Sequence, residues 1–249
     1  MPEWLQAGGW GLLAGSALLV GAALGWFLPV PRRVIASVMA FGAGVLLSAV
    51  SFELVAEAHE QGGLLPTAFG AAVGALAYTG ANVLLARRGA RHRKRSGDRQ
   101  PSEGEQPGSG SAIAVGALLD GIPESVVIGA SLLTGGAVSV VTVIAVFLSN
   151  VPEGLSSAAG MRRAGRTRRY VFLLWAGIAL VSGLAALAGH TLLGGAPPEV
   201  LASITALAAG AILAMITDTM VPEAFEDAHL LVGMITVLGF LVAFALSHA

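Results

Sequence analysis

The sequence predicts an all-α, polytopic membrane protein of eight transmembrane helices in a 3+2+3 inverted-repeat arrangement. Three observations carry this expectation. Of 249 residues, 55% are hydrophobic and only 12% are charged, whereas a soluble domain carries about 25% charged residues. Eight segments approach the ~20 apolar residues that a helix needs to cross a bilayer. The basic residues fall in three stretches and are otherwise absent.

The spans are expected at roughly 8–28, 34–57, 64–86, 111–133, 137–160, 171–190, 200–223 and 229–247, within a single membrane domain over 1–249. Met1-Pro2-Glu3-Trp4 lacks the basic n-region of a signal peptide, so the first span is expected to be retained. Small-xxx-small pairs such as Gly11/Gly15, Gly21/Gly25 and Gly70/Gly74 allow close helix packing in lipid and permit a homodimer. Segment 87–110 starts basic and turns Pro-, Gly-, Ser- and Glu-rich, which reads as a disordered basic cytoplasmic loop, a solvated linker whose only histidine is His92. No cysteine is present, which excludes thiolate metal sites. Nothing points to a nucleic-acid partner, and no phosphate-binding loop for ATP-driven pumping is found.

Orientation follows from the cations. Two follow the first span (Arg32, Arg33), seven lie in 87–99, and five follow the fifth span (Arg162, Arg163, Arg166, Arg168, Arg169), which accounts for all 14 Lys and Arg. With eight spans these loops share the cytoplasmic side of a multi-pass cell-membrane protein, and both termini face outside.

Two internal repeats mark the interior. Asp120-Gly-Ile-Pro-Glu124-Ser125 in the fourth span resembles Ser149-Asn150-Val-Pro-Glu153-Gly154 in the fifth. Glu57-Ala58-His59-Glu60 at the end of the second span resembles Glu223-Ala224-Phe225-Glu226, followed by Asp227 and His229, at the end of the seventh. The second and seventh spans run in opposite directions, and inverted repeats around a midplane site are a common transporter plan.

An ionisable side chain at the bilayer centre costs ~2.5–3.5 kcal/mol even on insertion scales, and Asp120, Glu124 and Glu153 all fall there. No Lys or Arg lies in any span. Salt bridging inside the membrane is therefore expected to be unavailable, leaving protons, water or an external cation as partners. Asp120 and Glu124, four apart, share a helix face, as do Asn150 and Glu153, three apart. Pro123 and Pro152 each remove an i→i−4 bond and free the carbonyls of Leu119 and Leu148 for water or an ion. The expected metal ligands are Asp120, Glu124, Asn150 and Glu153. Ser149 and Ser125 read equally as packing residues. Glu53 and Asp218 either line the pathway or reach out to water. Glu57, His59, Glu60, Glu223, Glu226, Asp227 and His229 sit at the mouths, as solvated caps or as attractors of cations. His190 and His248 are expected at the interfaces.

At Ile122-Pro123-Glu124 and Asn150-Val151-Pro152-Glu153-Gly154 the chain resembles the ZIP (Zrt/Irt-like) family of metal transporters. Its topology matches along the whole chain: eight spans, termini outside, and a variable cytoplasmic loop between spans 3 and 4. The resemblance implies that Glu124 and Glu153 bridge metal, that Asn150 serves a second ion, and that the ends of spans 2 and 7 form the outer entrance and the inner exit. The family's span-4 His-Asn is Asp120-Gly121 here, and its span-5 histidine is Ser149. Without nitrogen ligands the site favours harder ions, so zinc, the family default, stands beside manganese and iron. The expected function is uptake of divalent metal as substrate, with no cofactor and no enzymatic activity. Two alternatives stay open: a non-transporting metal sensor or scaffold, and a proton-coupled small-solute carrier.

Overall fold

The structure is a computed structural model that describes residues 1–135 and 139–248, and among these it is helical with no strand. In chain order the helices are α1 (Glu3–Phe27), α2 (Arg32–Gly62), α3 (Leu64–Ala90), α4 (Ser109–Gly135), α5 (Val140–Arg163) and α6 (Arg168–Leu193). They are followed by α7, which joins Pro198–Met215, Ile216–Met220 and Val221–Ala228, and by α8 (Val232–Ser247). Seven stretches among the described residues are long and apolar enough to cross a membrane. The last of them, Pro198–Ser247, spans 50 residues and contains both α7 and α8. Its helix breaks at His229, whose φ of 42° no α-helix accommodates. Residues 137 and 138, the start of the expected fifth span, lie outside the described residues.

Local chemistry explains the ends. The Ser139 hydroxyl accepts from Thr142 N and caps α5, and Thr167 does the same for Tyr170 N at α6. Gly63, at φ 74°, supplies the left-handed residue that turns α2 into α3. Pro123 and Pro152 lie inside α4 and α5 without ending them. Three helices change pitch: α3 becomes a π-helix over its last residues, Ala86–Ala90, and two π turns lie inside helices, in α2 over Val50–Val55 and in α7 over Ile216–Met220. Each of these two internal π turns holds one acidic residue, Glu53 or Asp218, and each lies just before the acidic repeat of its helix. Such turns frequently accompany functional sites.

Glycine sets the packing. α1 lies along α5 and α6, α2 along α8, α3 along α7, and α4 along α6. At the α3–α7 crossing, a Cβ on Gly74 would lie 1.9 Å from Leu207 O, and one on Gly210 would lie 2.0 Å from Ala71 O. The α2–α8 crossing repeats the device with Gly44 against Thr236 O and Gly239 against Phe41 O, at 1.9 and 2.1 Å. At α1–α5, Gly21 faces Val151 O and Gly154 faces Leu18 O, at 2.1 and 2.2 Å. In lipid, where apolar burial gives helices little mutual attraction, this backbone proximity provides the van der Waals contact that holds them.

The basic residues gather at one end of the bundle. Arg32 pairs with Asp98 at 2.7 Å, Arg162 donates to Trp26 O at 2.6 Å, and the Arg168 guanidinium lies 4.7 Å from the centre of the Phe27 ring. Glu103 clasps the far end of the 91–108 connection: it pairs with Arg166 and accepts from Gly108 N and Gly110 N.

Replacing Gly74 by Val is expected to force α3 and α7 apart and to cost ~1–3 kcal/mol, the usual range for overpacking. Gly80, with open space where its Cβ would be, is the control: Gly80→Ala leaves the melting temperature in detergent unchanged or slightly raised.

Candidate functional site

The acidic repeat residues of α4 and α5 are inside the bundle. Asp120, Glu124, Asn150 and Glu153 are all at most 5% exposed. Their surroundings differ from expectation, because salt bridging is available there. Segment 91–100, expected as a solvated linker, folds back into the bundle and brings Arg93 and Lys94, each with a side chain only 3% exposed, to the carboxylates. Counting charges within the apolar spans could not detect this, since both cations belong to a polar connection.

Lys94 lies between the two helices. Its Nζ is 2.8 Å from Glu153 Oε2 and 3.4 Å from Asp120 Oδ2. Arg93 grips Asp120 with both branches, Nε to Oδ2 at 3.0 Å and Nη2 to Oδ1 at 2.9 Å. Tyr78 on α3 donates to Asp120 Oδ1 at 2.6 Å and accepts from Arg93 Nη2 at 2.8 Å. Arg93 Nη1 donates to Asn82 Oδ1 at 2.7 Å, and the Asn82 amide reaches Asp218 of the second π turn at 3.5 Å. A continuous polar chain thus runs from Asp218 to Glu153. Among the described residues no cation lies within ion-pair distance of Glu124, so two cations face three carboxylates.

The rest of the segment has its own seat. Ser96 N donates to Glu223 Oε1 at 2.8 Å, and Arg95 lies 3.4 Å from Glu223 Oε2 and 2.8 Å from Glu226. Arg99 pairs with the other Glu226 oxygen. Glu223, read from sequence as a mouth residue, is 2% exposed and receives the segment. Ser156 donates one hydroxyl proton, shared between Lys94 O at 2.6 Å and Glu223 Oε1 at 2.8 Å. The Gln100 amide reaches Arg93 O, Arg95 O and Ser157 O. Burial, then Arg95, Arg91 and Arg99, push the His92 imidazole below its usual value.

The other expected site residues divide. The Asn150 amide nitrogen donates to Ala14 O on α1 at 3.0 Å, and Ser149 and Ser125 bond back to Val146 O and Gly121 O of their own helices. Glu53, in the first π turn, is half-buried at the end of the bundle away from the arginines. Glu57 holds Gln61 at 2.8 Å, His59 O accepts from Gly63 N, and Glu60 is exposed. Asp227 shares a surface hollow with Arg32 and Arg99, and the His229 ring stands edge-on to Phe225. Tyr78, Asn82, Arg93, Lys94 and Ser156 were missed. No group of three His, Cys, Asp or Glu among the described residues is arranged to hold a metal ion as it stands. Compared with known proteins, the chain matches no family model and no curated protein.

Removing one partner of a buried pair typically costs ~3–5 kcal/mol. Lys94→Met is therefore expected to destabilise the detergent-solubilised protein by that order, and adding Glu153→Gln to recover part of the loss, a coupling that a double-mutant cycle on thermal unfolding reads directly. The clasp behaves differently. Hydrogen bonds from Arg166, Gly108 and Gly110 hold the Glu103 carboxyl down at about 2. A depressed carboxyl stabilises above its unfolded value and loses that contribution as pH falls through the folded one. Hydrogen exchange at Gly108 and Gly110 should therefore stay protected from neutral pH down through the ordinary carboxylate range and open only near pH 2.

Proposed function

We propose that this chain is a carrier of divalent cations in the cell membrane, similar to the ZIP (Zrt/Irt-like) transporters, which moves metal ions into the cytoplasm through the carboxylates of α4 and α5. The observation that carries the reading is Asp120, Glu124 and Glu153 buried together, with cationic groups held against two of them. A cluster of that charge deep among apolar helices is stable when cations meet it, and the groups that meet it here are a guanidinium and an ammonium. A divalent ion is an alternative neutraliser of the same oxygens once these side chains withdraw. Asn150 and a rearranged Glu124 complete an oxygen-rich set that suits manganese or iron as well as zinc.

Several features support eight spans in a 3+2+3 inverted repeat. A straight helix of 50 residues would extend far beyond a ~30 Å hydrocarbon core, whereas the break at His229 lets α7 and α8 cross separately, one along α3 and the other along α2. The repeat pairs α2 with α7 and α3 with α8, so the α2–α8 and α3–α7 contacts are symmetry mates, and both carry reciprocal glycines. The two acid-bearing π turns match in the same way. The arginine-rich end is taken as cytoplasmic, with both termini outside. In this reading the protein is no enzyme, uses no cofactor, binds no nucleic acid, and is free to dimerise on its glycine-rich faces.

One observation favours a second reading. With Lys94 and Arg93 in place two of the three carboxylates already have cationic partners, as they would in a non-transporting sensor or scaffold. A proton-coupled small-solute carrier remains a third reading, separated by screening solutes with and without metal. Uptake of radioactive manganese or zinc into cells or vesicles decides between the first two. Glu124→Ala and Glu153→Ala are expected to lower uptake at least ~tenfold, the effect of about 1.4 kcal/mol of lost stabilisation. Uptake should also fall in acid, because metal binds deprotonated carboxylates. Wild-type uptake no greater than that of the two variants would overturn the carrier reading.

A further inference from the structure

Resting on the carrier reading, we propose that segment 91–100 is a tethered competitor of the transported cation, so that loading the carboxylate site expels the segment and docking of the segment empties the site. The two occupants exclude each other by position. An ion bound to a carboxylate oxygen sits ~2.0–2.6 Å from it, and the Lys94 ammonium already occupies that side of Glu153 at 2.8 Å and of Asp120 at 3.4 Å. Two cations within ~4 Å repel strongly wherever water is scarce.

The segment is received along its backbone as well as its charges. Lys94 O is held by Ser156, Ser96 N by Glu223, and Arg95 donates to Pro222 O at 2.8 Å. Gly160 on α5 forms the closest part of the seat: a Cβ there would lie 2.0 Å from Arg95 O and 2.7 Å from the Gln100 side-chain carbon. Any side chain at 160 therefore blocks docking without touching Asp120, Glu124 or Glu153. On the far side, the Glu103–Arg166 clasp ties the connection down. A released segment thus stays at the ~millimolar effective concentration of a short tether and returns when the ion leaves.

The test uses full-length protein in nanodiscs, manganese chloride as the probe, and trypsin, which cuts after the Arg and Lys of 91–99, with a soluble peptide as internal standard for the protease. Manganese is expected to accelerate cleavage in the wild type and to have no effect in Glu124→Gln/Glu153→Gln. Gly160→Val should be cut rapidly without metal and bind manganese ~tenfold tighter by calorimetry, within the usual range of coupling between two binding events. Lys94→Gln should tighten binding likewise, and it serves if Gly160→Val fails to fold. Manganese binding with unchanged cleavage, and unchanged affinity in the variants, overturns the competitor proposal and leaves the carrier reading standing. No manganese binding to wild type, to Gly160→Val or to Lys94→Gln overturns the carrier reading and this proposal with it.

Discussion

The Lys94 ammonium, suspended between Asp120 and Glu153, is the contact on which the polar interior depends. Three carboxylates are buried inside a largely apolar bundle, and an unpaired charge in such a medium is costly to maintain. Lys94 joins α4 to α5, and its neighbour Arg93 extends the same network through Tyr78 and Asn82 to the second π turn. Removing the ammonium would leave Glu153 and Asp120 repelling each other across the helix pair.

The network is unequal in charge, and that gives the cluster its chemical character. Asp120 holds a bidentate guanidinium, Glu153 holds an ammonium, and Glu124 holds neither. Guanidinium and carboxylate match as planar forks, whereas an ammonium is a point charge on a flexible stem. The weaker fit is thus at Glu153, which a compact spherical ion would suit better than Asp120, already held by Arg93 and Tyr78.

Much of this was legible in the sequence. The Pro-Glu repeat located Glu124 and Glu153, the cost of burial marked Asp120, and segregation of arginine placed the basic connections at one end. The features that were not legible depend on tertiary proximity. Arg93 and Lys94 lie in a segment whose composition is that of a solvated linker, and no periodicity announces that ten residues turn inward. Tyr78 and Asn82 look like ordinary polar residues of an apolar helix until Asp120 and Arg93 are beside them. The π turns arise from one extra residue per turn in α2 and α7, which leaves hydropathy unchanged. The bond from the Asn150 amide nitrogen to α1 was likewise not legible in its motif position.

The glycine crossings have a mechanical consequence. Backbones in direct contact move as one body, and those contacts join α1, α4, α5 and α6 into one slab and link α2 to α8 and α3 to α7 in another. Between the slabs contact is lighter, as where Gly42 of α2 meets the ring of Pro152. Asp120, Glu124 and Glu153 all belong to the first slab, and Glu53, Asp218 and Glu223 to the second. Segment 91–100 crosses the seam, with Lys94 bonded to Glu153 on one side and Ser96 to Glu223 on the other. Any sliding of one slab past the other would first have to break contacts on one side of it.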